Sequence, residues 1–167
     1  MTTITAKPLT RDRRPRFYLA YGSNLNIEQM KHRCPKAEPI GNTVLRDARL
    51  IFREVADVEY HKGSTVPCGV WRITPECERV LDRYEGVSGG LYRKEYIRIQ
   101  IVENGKTIRG RALIYQMNRS WYAMPHEHYV GIIRKGYRDF QLDRDILEFA
   151  IDDTEAELSA EAEPVFL

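Results

Sequence analysis

The dipeptide Asn104-Gly105 constrains this chain more than any other feature. It sits between two stretches that alternate like strands, and both of its residues tolerate the positive φ angles of a tight type I′ turn. Before it, Leu91 to Val102 sets Ile97, Ile99 and Ile101 on one face and Tyr96, Arg98 and Gln100 on the other. After it, Ile108 to Tyr115 returns with matching alternation, so Glu103-Asn104-Gly105-Lys106 predicts a long antiparallel hairpin. Any fold for this chain must therefore contain a sheet with local, hairpin-type pairing.

Other elements follow from local signals. Arg16 to Tyr21 saturates with Phe17, Tyr18, Leu19 and Ala20, a run that suits a strand buried on both faces. Gly22-Ser23-Asn24 breaks it, and Asn26 with Gln29 three residues on makes a capping box for a helix reaching Arg33 before Pro35. Three β-type stretches are expected at Ala48 to Phe52, Val55 to Tyr60 and Thr65 to Ile73. Thr74-Pro75 opens a helix, with the threonine as cap and the proline at the first helical position. Cys77, Val80, Leu81 and Tyr84 form its apolar stripe, and Gly86 ends it. Pro125 to Phe140 and Leu142 to Ile151 read as two further helices. Early strands with helices inserted and then appended predict an α+β domain, its mixed, largely antiparallel sheet curled into a small barrel-like core with flanking helices.

With 167 residues the chain is the size of one domain. The expected division is a flexible basic arm at 1–15, a domain at 16–151 and an acidic tail at 152–167. Lys7, Arg11, Arg13, Arg14 and Arg16 crowd the start, and Asp152, Asp153, Glu155, Glu157, Glu161 and Glu163 crowd the end. Two solvated tails of opposite sign are the plain reading; a basic arm that steers an acidic ligand or nucleic acid, or a targeting segment, are the alternatives. A net charge of +2 argues against a dedicated nucleic-acid binder. No apolar run approaches the roughly 18 residues of a membrane helix. Cys34, Cys68 and Cys77 show neither zinc nor disulfide spacing, which points to a reducing cytoplasm. His126-x-His128 lacks a third ligand at helpful spacing, so no metal site is expected.

Two places could carry chemistry. At Tyr21-Gly22-Ser23-Asn24-Leu25 a buried strand runs into a small-residue turn and a helix start, which could hold a carboxylate or phosphate on main-chain N–H groups. It could equally be a plain strand-to-helix turn. Glu85 lies about 40° beyond the apolar stripe of its helix. It is either a solvated last-turn glutamate or a partly desolvated carboxyl whose raised pKa suits proton transfer near neutral pH.

Read together, Tyr-Gly-Ser-Asn-Leu and the later Glu85-Gly86-Val87, followed by Gly90-Leu91-Tyr92, resemble the γ-glutamylcyclotransferase family. The resemblance spans roughly Arg16 to Ile151. It implies a compact mixed fold with a central cavity, no metal and no organic cofactor, and an enzyme that turns a γ-glutamyl amino acid or γ-glutamyl amine into 5-oxoproline and a free amine. By the same resemblance Glu85 is the catalytic glutamate, and Tyr21, Gly22, Ser23, Asn24, Leu25 and Tyr92 bind the substrate. The glutathione-specific branch reads Tyr-Gly-Ser-Leu, so Asn24 favours other branches. A monomer or homodimer acting on a small γ-glutamyl substrate is expected; a non-catalytic metabolite-binding module on the same fold is the alternative. Trp121 and Tyr122 either wall the pocket or cover the core.

Overall fold

The computed structural model describes residues 16–162; the arm at 1–15 and the end of the acidic tail lie outside the described residues. Among the described residues five strands form one mixed sheet in the order β2-β3-β1-β5-β4. They are β1 (Arg16–Ala20), β2 (Glu38–Arg53), β3 (Val55–Ile73), β4 (Tyr92–Glu103) and β5 (Lys106–Met117). Around them lie the helices α1 (Ile27–Arg33), α2 (Pro75–Tyr84), α3 (Glu127–Asp139) and α4 (Arg144–Ala162). The sheet curls until its edge strands β2 and β4 touch, without closing into a barrel.

Central β1 is why the middle of the sheet is apolar. It pairs antiparallel with β3, from Arg16 opposite Ile73 to Ala20 opposite Gly69, and parallel with β5 at Phe17 and Tyr18. With sheet on both edges and core on both faces, Phe17 to Ala20 are all buried. The β4–β5 hairpin turns where expected, with Asn104 and Gly105 at φ 51° and 73°. The local helix signals also hold: Asn26 accepts from the Gln29 N–H at 3.1 Å, and Thr74 from the Cys77 N–H at 3.1 Å.

Two expectations need correction. The three predicted strands between Ala48 and Ile73 are part of a single long hairpin, β2–β3, which also takes in Glu38 to Asp47. Register shifts at Pro39/Gly41 and Arg46/Ala48 break its alternation, so main-chain pairing continues where the side-chain pattern lapses. The helix expected to stop at Ile151 continues to Ala162. Thr154, buried completely, accepts from the Phe52 N–H at 3.0 Å, and Glu157 pairs with Arg49 at 2.7 Å, so this acidic stretch is docked on β2. Among the described residues no helix is long and apolar enough to cross a membrane.

Candidate active site

Helix α2 places Glu85 by the way it stops. Glu85 is its C-cap, Gly86 follows at φ +61°, and the Gly86 and Val87 N–H groups donate back to the Arg83 and Asp82 carbonyls. This is a Schellman end, and the left-handed position after the cap suits glycine. The chain thus leaves the helix in a fixed direction with the Glu85 side chain turned inward. Burial pushes its carboxyl up to about 7, opposed by the positive charge of Arg33. Of the apolar stripe expected on α2, Cys77 and Leu81 are buried, whereas Tyr84 is half exposed. Glu78 is buried in its stead, neutralised by Lys94 and Arg16.

The loop after β1 is seated from below. Its one 3-10 turn, Ser23–Leu25, leads into α1, and α3 crosses so closely that a side chain at Gly136 would lie 2.4 Å from Leu25 Cβ. Asp139 of α3 accepts from the Ile27 N–H at 3.0 Å, and the Asn24 carbonyl accepts from Trp71 Nε1 at 3.0 Å. Those contacts hold the turn without occupying its upper rim. Among the described residues, the main-chain N–H groups of Gly22, Ser23 and Asn24 find no acceptor. Gly22 is small because Ala56 and Tyr129 pack against it: an added Cβ would meet Ala56 Cβ at 3.1 Å.

The two pieces meet across 61 residues of sequence, where Asn24 Nδ2 donates to Glu85 Oε1 at 3.3 Å. Above the meeting point lies a cavity of about 260 Å³, lined by Glu85, by Gly22 and Ser23 and by a ring of tyrosines. Tyr18, Tyr21, Tyr92, Tyr115 and Tyr129 belong to the ring, and burial pushes all five phenols well up, so they remain neutral donors. Tyr21 donates to the Tyr115 carbonyl at 2.5 Å, Tyr92 to the Ala56 carbonyl at 3.2 Å and Tyr115 to Asp82 at 2.6 Å. Among the described residues Glu85 is the one carboxyl in the lining. A carboxyl pushed up to about 7, unengaged main-chain donors and tyrosine-lined walls suit proton transfer on a small anionic molecule.

The structure brings Glu85, Tyr21, Gly22, Ser23 and Tyr92 to one cavity, with Asn24 reaching it through Glu85. Leu25 is not in the lining: it is wholly buried against Gly69 and Gly136 and anchors the loop from beneath. Neither Trp121 nor Tyr122 lines the cavity; Trp121 lies against Arg119, and Tyr122 bonds Glu59 and Arg49. His126 caps α3, and among the described residues no group of three or more His, Cys, Asp and Glu could hold a metal. Cys68 is packed in the core. Sequence reasoning missed Ala56, Tyr129 and Arg33. Arg33 reads as an ordinary last-turn cation, and no local signal ties the other two to Glu85.

Residues 18–137 match the family model described as "Gamma-glutamyl cyclotransferase, AIG2-like". The chain is 30% identical over 134 residues to a gamma-glutamylcyclotransferase of Homo sapiens, covering 73% of this chain and 70% of the relative. It is likewise 30% identical over 143 residues to one of Mus musculus, covering 78% and 74%. A solved structure titled "Gamma-glutamyl cyclotransferase" superposes with a TM-score of 0.66 at 28% identity, over 86% of this chain and 88% of that one.

Proposed function

Because the chain belongs to the gamma-glutamyl cyclotransferase, AIG2-like family and is an enzyme of that type, we propose that it converts a γ-glutamyl amino acid or γ-glutamyl amine to 5-oxoproline, with Glu85 as base and then acid. The observation that carries this reading is the Glu85 carboxyl itself, half-buried at the cavity, raised to about 7 and bonded to the Asn24 amide.

A γ-glutamyl compound carries its own nucleophile as an ammonium. Free α-amino groups titrate at about 8, so transfer of that proton to a carboxylate near 7 is uphill by only about 1.4 kcal/mol. The amine so released attacks the γ-carbonyl carbon, and a five-membered ring begins to close. Its nitrogen sheds a second proton as the old carbon–nitrogen bond breaks, and the proton on Glu85 passes to the departing nitrogen. The two protons lost by the α-nitrogen end on the leaving amine, and Glu85 returns to its starting state. Alignment of the two reacting groups within one molecule supplies about 7–11 kcal/mol. The N–H groups of Gly22, Ser23 and Asn24 serve the α-carboxylate or the oxyanion that develops on the carbonyl. No step calls on a metal or an organic cofactor. Cytoplasmic residence, as a monomer or homodimer, fits this chemistry.

The test is release of 5-oxoproline from γ-glutamyl dipeptides and γ-glutamylamines by the purified protein. Undiminished release by Glu85→Gln would refute the role given to Glu85. Binding of either substrate without turnover would favour a metabolite-sensing module.

A further inference from the structure

Arg33 closes the last turn of α1 and is absent from the cavity lining, yet it holds a residue that touches Glu85. Its guanidinium lies 3.8 Å from the centroid of the Tyr84 ring and donates to the Tyr84 hydroxyl at 2.7 Å. Another of its nitrogens donates to Asn24 Oδ1 and, at 3.4 Å, to Ser23 Oγ. A guanidinium only donates, so the Asn24 carboxamide has to present its oxygen to Arg33. Its nitrogen is thereby turned to the opposite side, where two acceptors wait: the Tyr18 hydroxyl at 3.0 Å and Glu85 Oε1 at 3.3 Å. With the amide reversed, oxygen would face carboxylate and nitrogen would face guanidinium. Two charge-assisted bonds would become two repulsions.

We propose that Arg33 is a positioning residue that, through the Asn24 carboxamide, fixes the Glu85 carboxylate in place and favours its ionised, proton-accepting form. Its catalytic meaning rests on the reading of Glu85 as the base. The titratable groups that face Glu85 from the other elements are Tyr18 of β1, Tyr21 just after it, Tyr92 of β4, Tyr115 of β5 and Tyr129 of α3. All are held neutral by burial, and none can substitute for the cation. Burial pushes the Glu85 carboxyl up, and the charge of Arg33 is what opposes it.

Carbon-13 NMR titration of the glutamate carboxyls reads this without turnover, the Glu85 signal being the one lost in Glu85→Gln. Arg33→Met should raise the Glu85 midpoint by about one pH unit, and lower kcat/KM about tenfold near pH 6 with less than about twofold change near pH 9. Arg33→Lys keeps the charge without the fork and should undo less than half of that shift. Tyr84→Leu removes the half-exposed ring on which the guanidinium rests. It should raise the midpoint by about half a unit, and it replaces Arg33→Met if that variant fails to fold. An unmoved midpoint in Arg33→Met, or in Tyr84→Leu where it stands in, overturns the proposal. Complete restoration by lysine overturns it too, in favour of bare charge. A midpoint that moves while Glu85→Gln stays fully active supports the hold of Arg33 on Glu85 and overturns the reading of Glu85 as base, so the two ideas fail separately.

Discussion

Two glutamates stand about two turns apart along α2, both facing the protein, and they have opposite characters. Glu78 is the more buried of the pair, at 9% exposed. Burial alone would push its carboxyl up, yet Lys94 at 2.5 Å and Arg16 at 2.5 Å, with the Tyr96 hydroxyl, hold it below the ordinary range. Glu85 keeps more exposure but, among the described residues, has no cation in contact, only the Asn24 amide, and it rises to about 7. Both carboxyls feel burial; at Glu78 the cations in contact outweigh it, and at Glu85 the more distant charge of Arg33 does not.

That contrast can be broken in four ways. The largest effect expected is on turnover: Glu85→Gln should lower kcat by about 10²- to 10⁴-fold in a 5-oxoproline assay, while Glu78→Gln should leave kcat within about threefold. Equal losses in both would erase the distinction. Next comes stability. Glu78→Ala takes from Arg16 its Glu78 partner and leaves Lys94 with Asp82 alone, both cations being partly exposed, and should cost about 1–2 kcal/mol by urea denaturation at pH 7. Because the Glu78 pKa is lowered by folding, that contribution is present above its unfolded value and disappears as pH falls through the folded one.

A smaller effect is expected in the pH profile. In its proposed role as base Glu85 must be ionised, so wild-type kcat/KM should fall about tenfold per pH unit below about 7, or about 1.4 kcal/mol each. A limb near 4.5 would mean an ordinary solvated carboxylate. Smallest is the stability change at Glu85, and its sign is reversed. Folding raises this pKa, so the native state holds the extra proton between the unfolded value and about 7, and stability drops as pH rises through that window. Glu85→Gln should remove the slope and gain about 1 kcal/mol at pH 8, a figure already discounted for partial exposure.

What could be read in advance followed the range of the interaction. Thr74-Pro75, the Asn26–Gln29 box and Asn104-Gly105 act within a few residues, and all three behave as their chemistry requires. Glu85 and the Tyr21-to-Ser23 turn were legible as places where burial and small residues coincide. The β2–β3 hairpin was not, because bulges and a polar middle, His61 to Ser64, remove the alternation that marks a strand. Parallel pairing of β1 with β5, the arrival of Tyr129 at the cavity and the seat of Arg33 on Tyr84 depend on contacts between distant parts of the chain. Local patterning carries no trace of such contacts.

The crossing of α3 beneath the turn at Gly136 has a consequence for how this protein is made. A nascent chain emerging from the ribosome exposes Tyr21 to Leu25 and then Glu85 long before Tyr129 and Gly136 are synthesised. Until that late helix arrives, the floor of the cavity is missing and both motifs hang on an unfinished scaffold. Competence should therefore appear abruptly once α3 has been made, and a release before that point should yield chains that carry Glu85 and its facing turn and catalyse nothing.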